Sequence, residues 1–298
     1  MAPGRPAKLC RSWLFLEGAN EAVLQRAPQS GADVLIQELE DFTPPPLRPK
    51  ARALAPDLYA AWRAAGAVVG VRVNPLSQDG MDDLAAVMRG RPDIVALPKV
   101  AEPHHVTRLD TEVSRFEREF GIPEGSTALL PNIELARGLV QTGTIAAASR
   151  RTVGCLMASE DLVADLGAER GRDGIELAYC RQRFLVECRA ADVVAVDCPY
   201  TFSDAEGVER ETRWARRLGY VAKSLVDPAH AAIINGVLTP GEDELRRARQ
   251  IVSAFEASRE RGGGRAELDG ALVEMPSYSN AKRLIARAEA LREFERHN

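Results

Sequence analysis

The chain has 298 residues, 45% of them hydrophobic, and a formal charge of −4 from 43 acidic and 39 basic residues. That length holds one α/β barrel or two ordinary domains, with enough apolar residues for a sizeable core. Acidic and basic residues are interleaved, which excludes the clustered Lys/Arg footprint of a nucleic-acid partner, and no stretch approaches the ~18 apolar residues of a membrane-spanning helix.

Five cysteines, Cys10, Cys155, Cys180, Cys188 and Cys198, are odd in number and lack CxxC spacing. Neither a disulfide framework nor a zinc site is favoured, and they read as small buried hydrophobes in a reducing compartment. The N-terminal MAPGRPAKLCRSW has no apolar run of signal-peptide length, so a cytoplasmic location is expected.

Short β-rich runs recur at 12–16, 34–39, 68–73, 94–99, 128–133, 153–157, 193–196 and 220–225. Helical patterns lie between them, among others at 47–65, 82–89, 104–120, 135–148, 174–190 and 205–218. Eight successive βα units predict a closed TIM (β/α)8 barrel rather than a doubly wound sheet. The first strand carries no GxGxxG turn, which weakens a dinucleotide-binding reading. Pro240 and Gly241 open a further helix to about residue 257, followed by the glycine-rich RGGGRAELDG, read as a loop. A brief extended piece and an amphipathic helix from about Ser277 end the chain. The expected organisation is a barrel over 1–240 and a C-terminal helical extension over 241–298. A lone terminal helix needs a surface to pack on, either its own barrel or a neighbouring subunit.

Chemistry on a barrel gathers at the carboxyl ends of the strands. The residues there are Glu17, Glu40 with Asp41, Arg72 with Asn74, Lys99, Glu134 with Arg137, Glu160 with Asp161, Asp197 and Lys223. This polar ring suits a small anionic substrate together with a cation. Glu134 and Asp161, without histidine or cysteine beside them, suit a hard ion such as Mg2+. They equally suit helix starts, as caps or dipole partners. Arg72 offers a planar fork to a carboxylate or oxyanion, or a structural ion pair to Glu38 or Glu40. Lys99 and Lys223 fit either a Schiff-base aldolase or ordinary salt bridges.

RSWLFLEGAN, GADVLIQELED, VRVNPLSQDG, ALPKV, PNIELARGL, ASEDLVADLG and LVDPAHAAIINGVLTP follow one another in an order that resembles citrate lyase beta-subunit-like proteins. That family includes malyl-CoA and citramalyl-CoA lyases, within the HpcH/HpaI aldolase superfamily. The likeness runs from Arg11 to about Pro276. It implies a Mg2+-dependent TIM barrel that cleaves or forms a bond between an acyl-CoA enolate and a 2-oxo acid. Glu134 and Asp161 match the family's metal ligands, and Arg72 matches its substrate-binding and catalytic arginine. Glu40, Asp41 and Lys99 fall where substrate is bound. A homotrimer or hexamer is implied, with the C-terminal segment reaching a neighbour's active site.

The chain departs from the family at Glu17, Glu38, Asp227 and His230, and at Glu274, which stands where the family has a catalytic aspartate. Glutamate keeps the carboxylate but lengthens it by a methylene, and misplacement of about 1 Å can cost roughly a hundredfold in rate. The acyl partner and the direction of reaction therefore stay open. So do two other functions, a malate-synthase-like or thioesterase activity and a non-catalytic, partner-dependent binding subunit.

Overall fold

The computed structural model describes residues 4–297, and within it the eight expected strands form, each end within two residues of its expected position. They are β1 (Ser12–Glu17), β2 (Val34–Glu38), β3 (Val68–Arg72), β4 (Ile94–Leu97), β5 (Ala128–Ile133), β6 (Gly154–Met157), β7 (Val194–Asp197) and β8 (Ala222–Leu225). All pair in parallel in sequence order, and β8 closes the barrel onto β1 through Ser12 opposite Lys223. This is a TIM barrel, with a separate C-terminal helical unit.

Successive side chains on a strand point to opposite faces. Trp13, Phe15, Ile36, Ile94, Leu130 and Leu156 form one buried cluster, which fills the barrel. Leu14, Leu35, Val69, Val95 and Leu129 belong to a second, between strands and helices. The inward register continues through positions 38, 72 and 134. Positions 197 and 223 fall in the outward one.

That single-residue offset removes two candidates from the mouth. Asp197 accepts from Arg181 Nε and Nη2 at 2.9 and 2.8 Å and from Lys223 Nζ at 2.7 Å, and Lys223 also donates to the Cys198 carbonyl. Arg181 reaches Glu211 at 2.6 Å, and its guanidinium lies 4.2 Å from the Trp214 ring centroid. These charges form a structural brace under the helices. Lys223 is no Schiff-base lysine.

The helix expected over 135–148 is instead two short ones, Ala136–Leu139 and Thr142–Ala146. Gly138 lies so close to the Val100 carbonyl that a Cβ would collide, and Gln141, at φ −119° and ψ 9°, interrupts the turn while its amide reaches the Ala101 carbonyl.

The chain divides at Leu238 and Thr239. In the C-terminal unit, helix Glu242–Glu260 packs on helix Met275–His297, with Phe255 and Tyr278 stacked at 4.8 Å. The glycine-rich segment is not all loop. Ala266–Leu268 and Ala271–Val273 pair antiparallel, and the intervening Asp269 and Gly270 both have positive φ, as a type I′ turn requires. No helix among the described residues is long and apolar enough to cross a membrane.

Because the brace is buried, removing its central carboxylate leaves Lys223 without a carboxylate partner and Arg181 with Glu211 alone. Asp197→Ala is expected to cost about 3–5 kcal/mol, read as a lower urea midpoint at unchanged slope.

Candidate active site

Arg72 occupies the centre of the barrel mouth, 6% exposed, its guanidinium carbon 5.5 Å from the ring centroids of both Phe15 and Phe42. Its Nε donates to Glu38 Oε1 at 2.8 Å, Nη2 lies 3.3 Å from Glu40 Oε2, and Nη1 lies 3.6 Å from Glu134 Oε1. Burial works against the charge, but Glu38, Glu134 and Glu40 outweigh it and hold the guanidinium cationic beyond its ordinary range. The structure thus gives Arg72 both ion pairs that its position allowed. Glu38 also accepts from the backbone N–H groups of Glu40 and Phe42 at 2.6 and 2.7 Å, so its side chain shapes the loop after β2 as well.

Glu134 is fully buried just past β5. It caps no helix of its own, since the following helix starts at Ala136, whose N–H donates to Asp165. Instead its Oε2 accepts the backbone N–H of Lys99 at 3.1 Å. Lys99 makes this possible by taking a left-handed φ of 54°, a conformation that costs a non-glycine residue about 1–3 kcal/mol. Glu134 Oε1 has no hydrogen-bond partner. Burial pushes this carboxyl up to about 8, with Asp161 and Glu40 adding to the effect and Arg72 and the Lys99 amide opposing it.

Asp161 lies in the first turn of helix Ser159–Leu166, where its charge also suits the helix dipole. It lines a cavity of about 270 Å³ together with Arg72, Phe15, Phe42, Asp41 and Glu160. At the rim, the Lys99 ammonium pairs with Glu40 and lies 3.5 Å from Asp41. Glu40 and Asp41 outweigh desolvation and keep that amine protonated above its ordinary range, which suits an ion pair and not an imine-forming nucleophile.

The fold therefore brings together Glu40, Asp41, Arg72, Lys99, Glu134 and Asp161. Asn74 turns away to the Leu39 carbonyl and Asp83, and Arg137 is exposed and paired with Glu102. Glu274 belongs to the C-terminal unit, between its hairpin and its last helix, and pairs with Arg265 at 2.9 Å. Sequence reasoning missed Phe15 and Phe42, whose rings both lie against Arg72. It also missed Asn132, fully buried, whose amide oxygen and nitrogen both lack partners. The period-2 spacing of 130, 132 and 134 was the available signal for that inward-facing amide.

A buried carboxylate oxygen without a donor, in the field of a second carboxylate, is what a hard cation satisfies. Among the described residues no three His, Cys, Asp or Glu side chains gather into a ready cage. A cation bound by Glu134 and Asp161 would thus complete its shell with water or substrate oxygens.

The family model described as HpcH/HpaI aldolase/citrate lyase matches residues 11–228. The chain is 34% identical to citrate lyase subunit beta of Escherichia coli strain K12, over 96% of this chain and 95% of that one. It is 30% identical to a (3S)-malyl-CoA thioesterase of Cereibacter sphaeroides, over 95% and 96%. Its fold is similar to the crystal structure of CitE from Mycobacterium tuberculosis in complex with magnesium, acetoacetate and coenzyme A, at 27% identity and a TM-score of 0.76, covering 94% of this chain and 98% of that one.

The raised Glu134 carboxyl has a consequence for stability without metal. Unfolded, it ionises at its ordinary 4.5; folded, it keeps its proton to about 8. The folded state binds the extra proton between those values, so this contribution is complete below 4.5 and declines as pH rises through 8. Glu134→Gln lacks that decline. With chelator present, the melting temperature of the variant relative to the parent is expected to rise between about pH 5 and pH 8.5; a constant difference would contradict the assignment.

Proposed function

The chain belongs to the HpcH/HpaI aldolase/citrate lyase family, and we propose that it is a Mg2+-dependent carbon–carbon lyase that cleaves a 3-hydroxyacyl-CoA, such as malyl-CoA or citramalyl-CoA, into an acyl-CoA and a 2-oxo acid. The observation that carries this reading is the donorless Glu134 Oε1, buried beside Arg72 and in the field of Asp161. Glu134 and Asp161 hold the ion. When bound, Mg2+ polarises a substrate oxygen and stabilises negative charge developing on it. The neighbouring structures with magnesium and with oxaloacetate, pyruvate or acetoacetate support the same choice.

The residues of the chain divide the remaining work. Arg72 donates to the oxygens of the 2-oxo acid and keeps its charge throughout, since three carboxylates fix it. Phe15, buried at the barrel floor of the site, and Phe42, at its edge, lie against the guanidinium. The Lys99 N–H fixes Glu134 Oε2, so that Oε1 is the oxygen left for the ion. Lys99, Glu40 and Asp41 border the substrate at the rim. Cleavage breaks the C2–C3 bond of the thioester, removes the proton of the 3-hydroxyl and delivers a proton to the acyl carbon. We assign that acid/base role to Glu274, supplied across a subunit interface of a homotrimer or hexamer.

A thioesterase reading is favoured by one observation, the similarity to the (3S)-malyl-CoA thioesterase. The two readings separate by product. A lyase releases 2-oxo acid with the thioester intact, whereas a thioesterase releases free CoA.

On a panel of malyl- and citramalyl-type thioesters, Mg2+-dependent release of 2-oxo acid is expected, with Asp161→Ala and Glu134→Gln each lowering kcat/KM by about a hundredfold or more. No metal-dependent turnover on any member overturns the lyase assignment. The shared site makes a second expectation: Asp161→Ala and Glu274→Gln, each strongly impaired alone, regain turnover when their subunits are mixed and reassembled. Failure to complement would remove Glu274 from a neighbour's site.

A further inference from the structure

We infer that Asn132 is a positioning residue for the ion: its side-chain oxygen accepts a hydrogen bond from a water carried by an ion at Glu134 and Asp161. This rests on the metal-dependent reading above and adds a residue to it.

Asn132 sits on β5 between Leu130, a member of the cluster that fills the barrel, and Glu134. Alternation along the strand points all three to the interior. Its register partner on β6 is Leu156, which lines the cavity. On the β4 side Leu97 pairs with Pro131, so the residue beside Asn132 is Pro98, also buried. Three neighbours of the amide are therefore apolar, and the polar one on its own strand face is Glu134. Asn132 is fully buried, and among the described residues neither its Oδ1 nor its Nδ2 has a partner, just as Glu134 Oε1 has none.

The main-chain donors around it are spent. The Val100 N–H donates to the Asn132 carbonyl at 3.1 Å, the Lys99 N–H to Glu134 Oε2 at 3.1 Å and the Ala158 N–H to the Ile133 carbonyl at 3.2 Å. Gln37, equally buried on the outward face of β2, shows how the same fold satisfies a structural amide. Its Nε2 donates to the Gly18 and Ala51 carbonyls at 2.9 and 2.8 Å, and its Oε1 accepts from the Tyr59 hydroxyl at 2.7 Å. Burying an amide without such partners costs about 1–3 kcal/mol. The partner of Asn132 therefore comes from outside the chain.

Mg2+ usually keeps several of its waters. A water bound to the ion through its oxygen presents hydrogens outward, so its next partner has to be an acceptor. Asn132 Oδ1 is such an acceptor, and it adds no charge where Glu38, Glu40 and Glu134 already surround one arginine. Two residues along a strand span about 6.6 Å. That is within reach of two metal–oxygen bonds of about 2.1 Å followed by one hydrogen bond of about 2.8 Å. Outer contacts of this kind fix the ligands of an ion and contribute to its affinity.

The test is calorimetric titration of Mg2+ into the full-length protein and its variants. Asn132→Leu removes the acceptor at similar volume and is expected to weaken Mg2+ binding by about tenfold to a hundredfold. Asn132→Asp restores an acceptor oxygen and is expected to recover most of that loss. Should Asn132→Leu not fold, Asn132→Val, with a side chain that suits a strand, reads the same affinity. A merely structural amide predicts equal Mg2+ affinity in all these proteins. Less than about a tenfold loss in the apolar variant, or an equal loss in Asn132→Asp, overturns the inference and leaves the lyase reading standing. Absence of Mg2+ binding by the parent protein overturns the metal-dependent reading, and this inference with it.

Discussion

One buried cation makes the barrel mouth possible. Glu38 and Glu40 from the end of β2 and Glu134 from the end of β5 converge on Arg72, all nearly or wholly removed from water. Without the guanidinium, three carboxylates at that depth would repel one another and pay full desolvation, and some would bind protons instead. With it, only part of their charge is met. Burial, with Asp161 and Glu40 adding to it, keeps the Glu134 carboxyl up at about 8 even with Arg72 beside it. The site is thus built with an excess of negative charge that one arginine cannot balance. The rings of Phe15 and Phe42 each lie 5.5 Å from the Arg72 guanidinium carbon and give the cation an apolar, polarisable surface on the mouth side.

How far the sequence could be read follows from which signals survive in a parallel barrel. Its strands are buried on both faces, so each reads as a continuous apolar run, and eight such runs spaced by helices suffice to name the architecture. The same property hides parity. Nothing in the local sequence tells whether a polar residue ending such a run points into the mouth or under a helix. Asp197 and Lys223 therefore looked like members of the ring although they brace β7 and β8 against Arg181. Counting alternation from Trp13 or Ile36 would have separated them, but only once register was known. Arg72, Glu134 and Asp161 were legible as polar residues at strand ends and by resemblance. Phe15 and Phe42 were not, because an aromatic residue near a strand end looks like core. In the C-terminal unit, composition misled in the opposite direction. Glycines and charges suggested a loop, while Asp269 and Gly270 between two three-residue strands form a hairpin turn.

Lys99 shows how position and side chain can serve separate purposes in one residue. Its left-handed backbone aims an N–H at Glu134 Oε2, and its ammonium reaches in another direction, to Glu40 and Asp41. The two functions are physically independent. A glycine at this position would keep the N–H and relieve the strain, yet it would free the rim carboxylates and let the β2 loop relax. An alanine would keep the strain and lose the ion pairs. Only a long cation at a disfavoured φ does both, holding one oxygen of Glu134 still while supporting the loop that carries Phe42 over Arg72. Strain is tolerated here because the surrounding barrel over-determines the conformation. Its result is that the donorless Glu134 oxygen is held in place by the fold before any ion or substrate arrives.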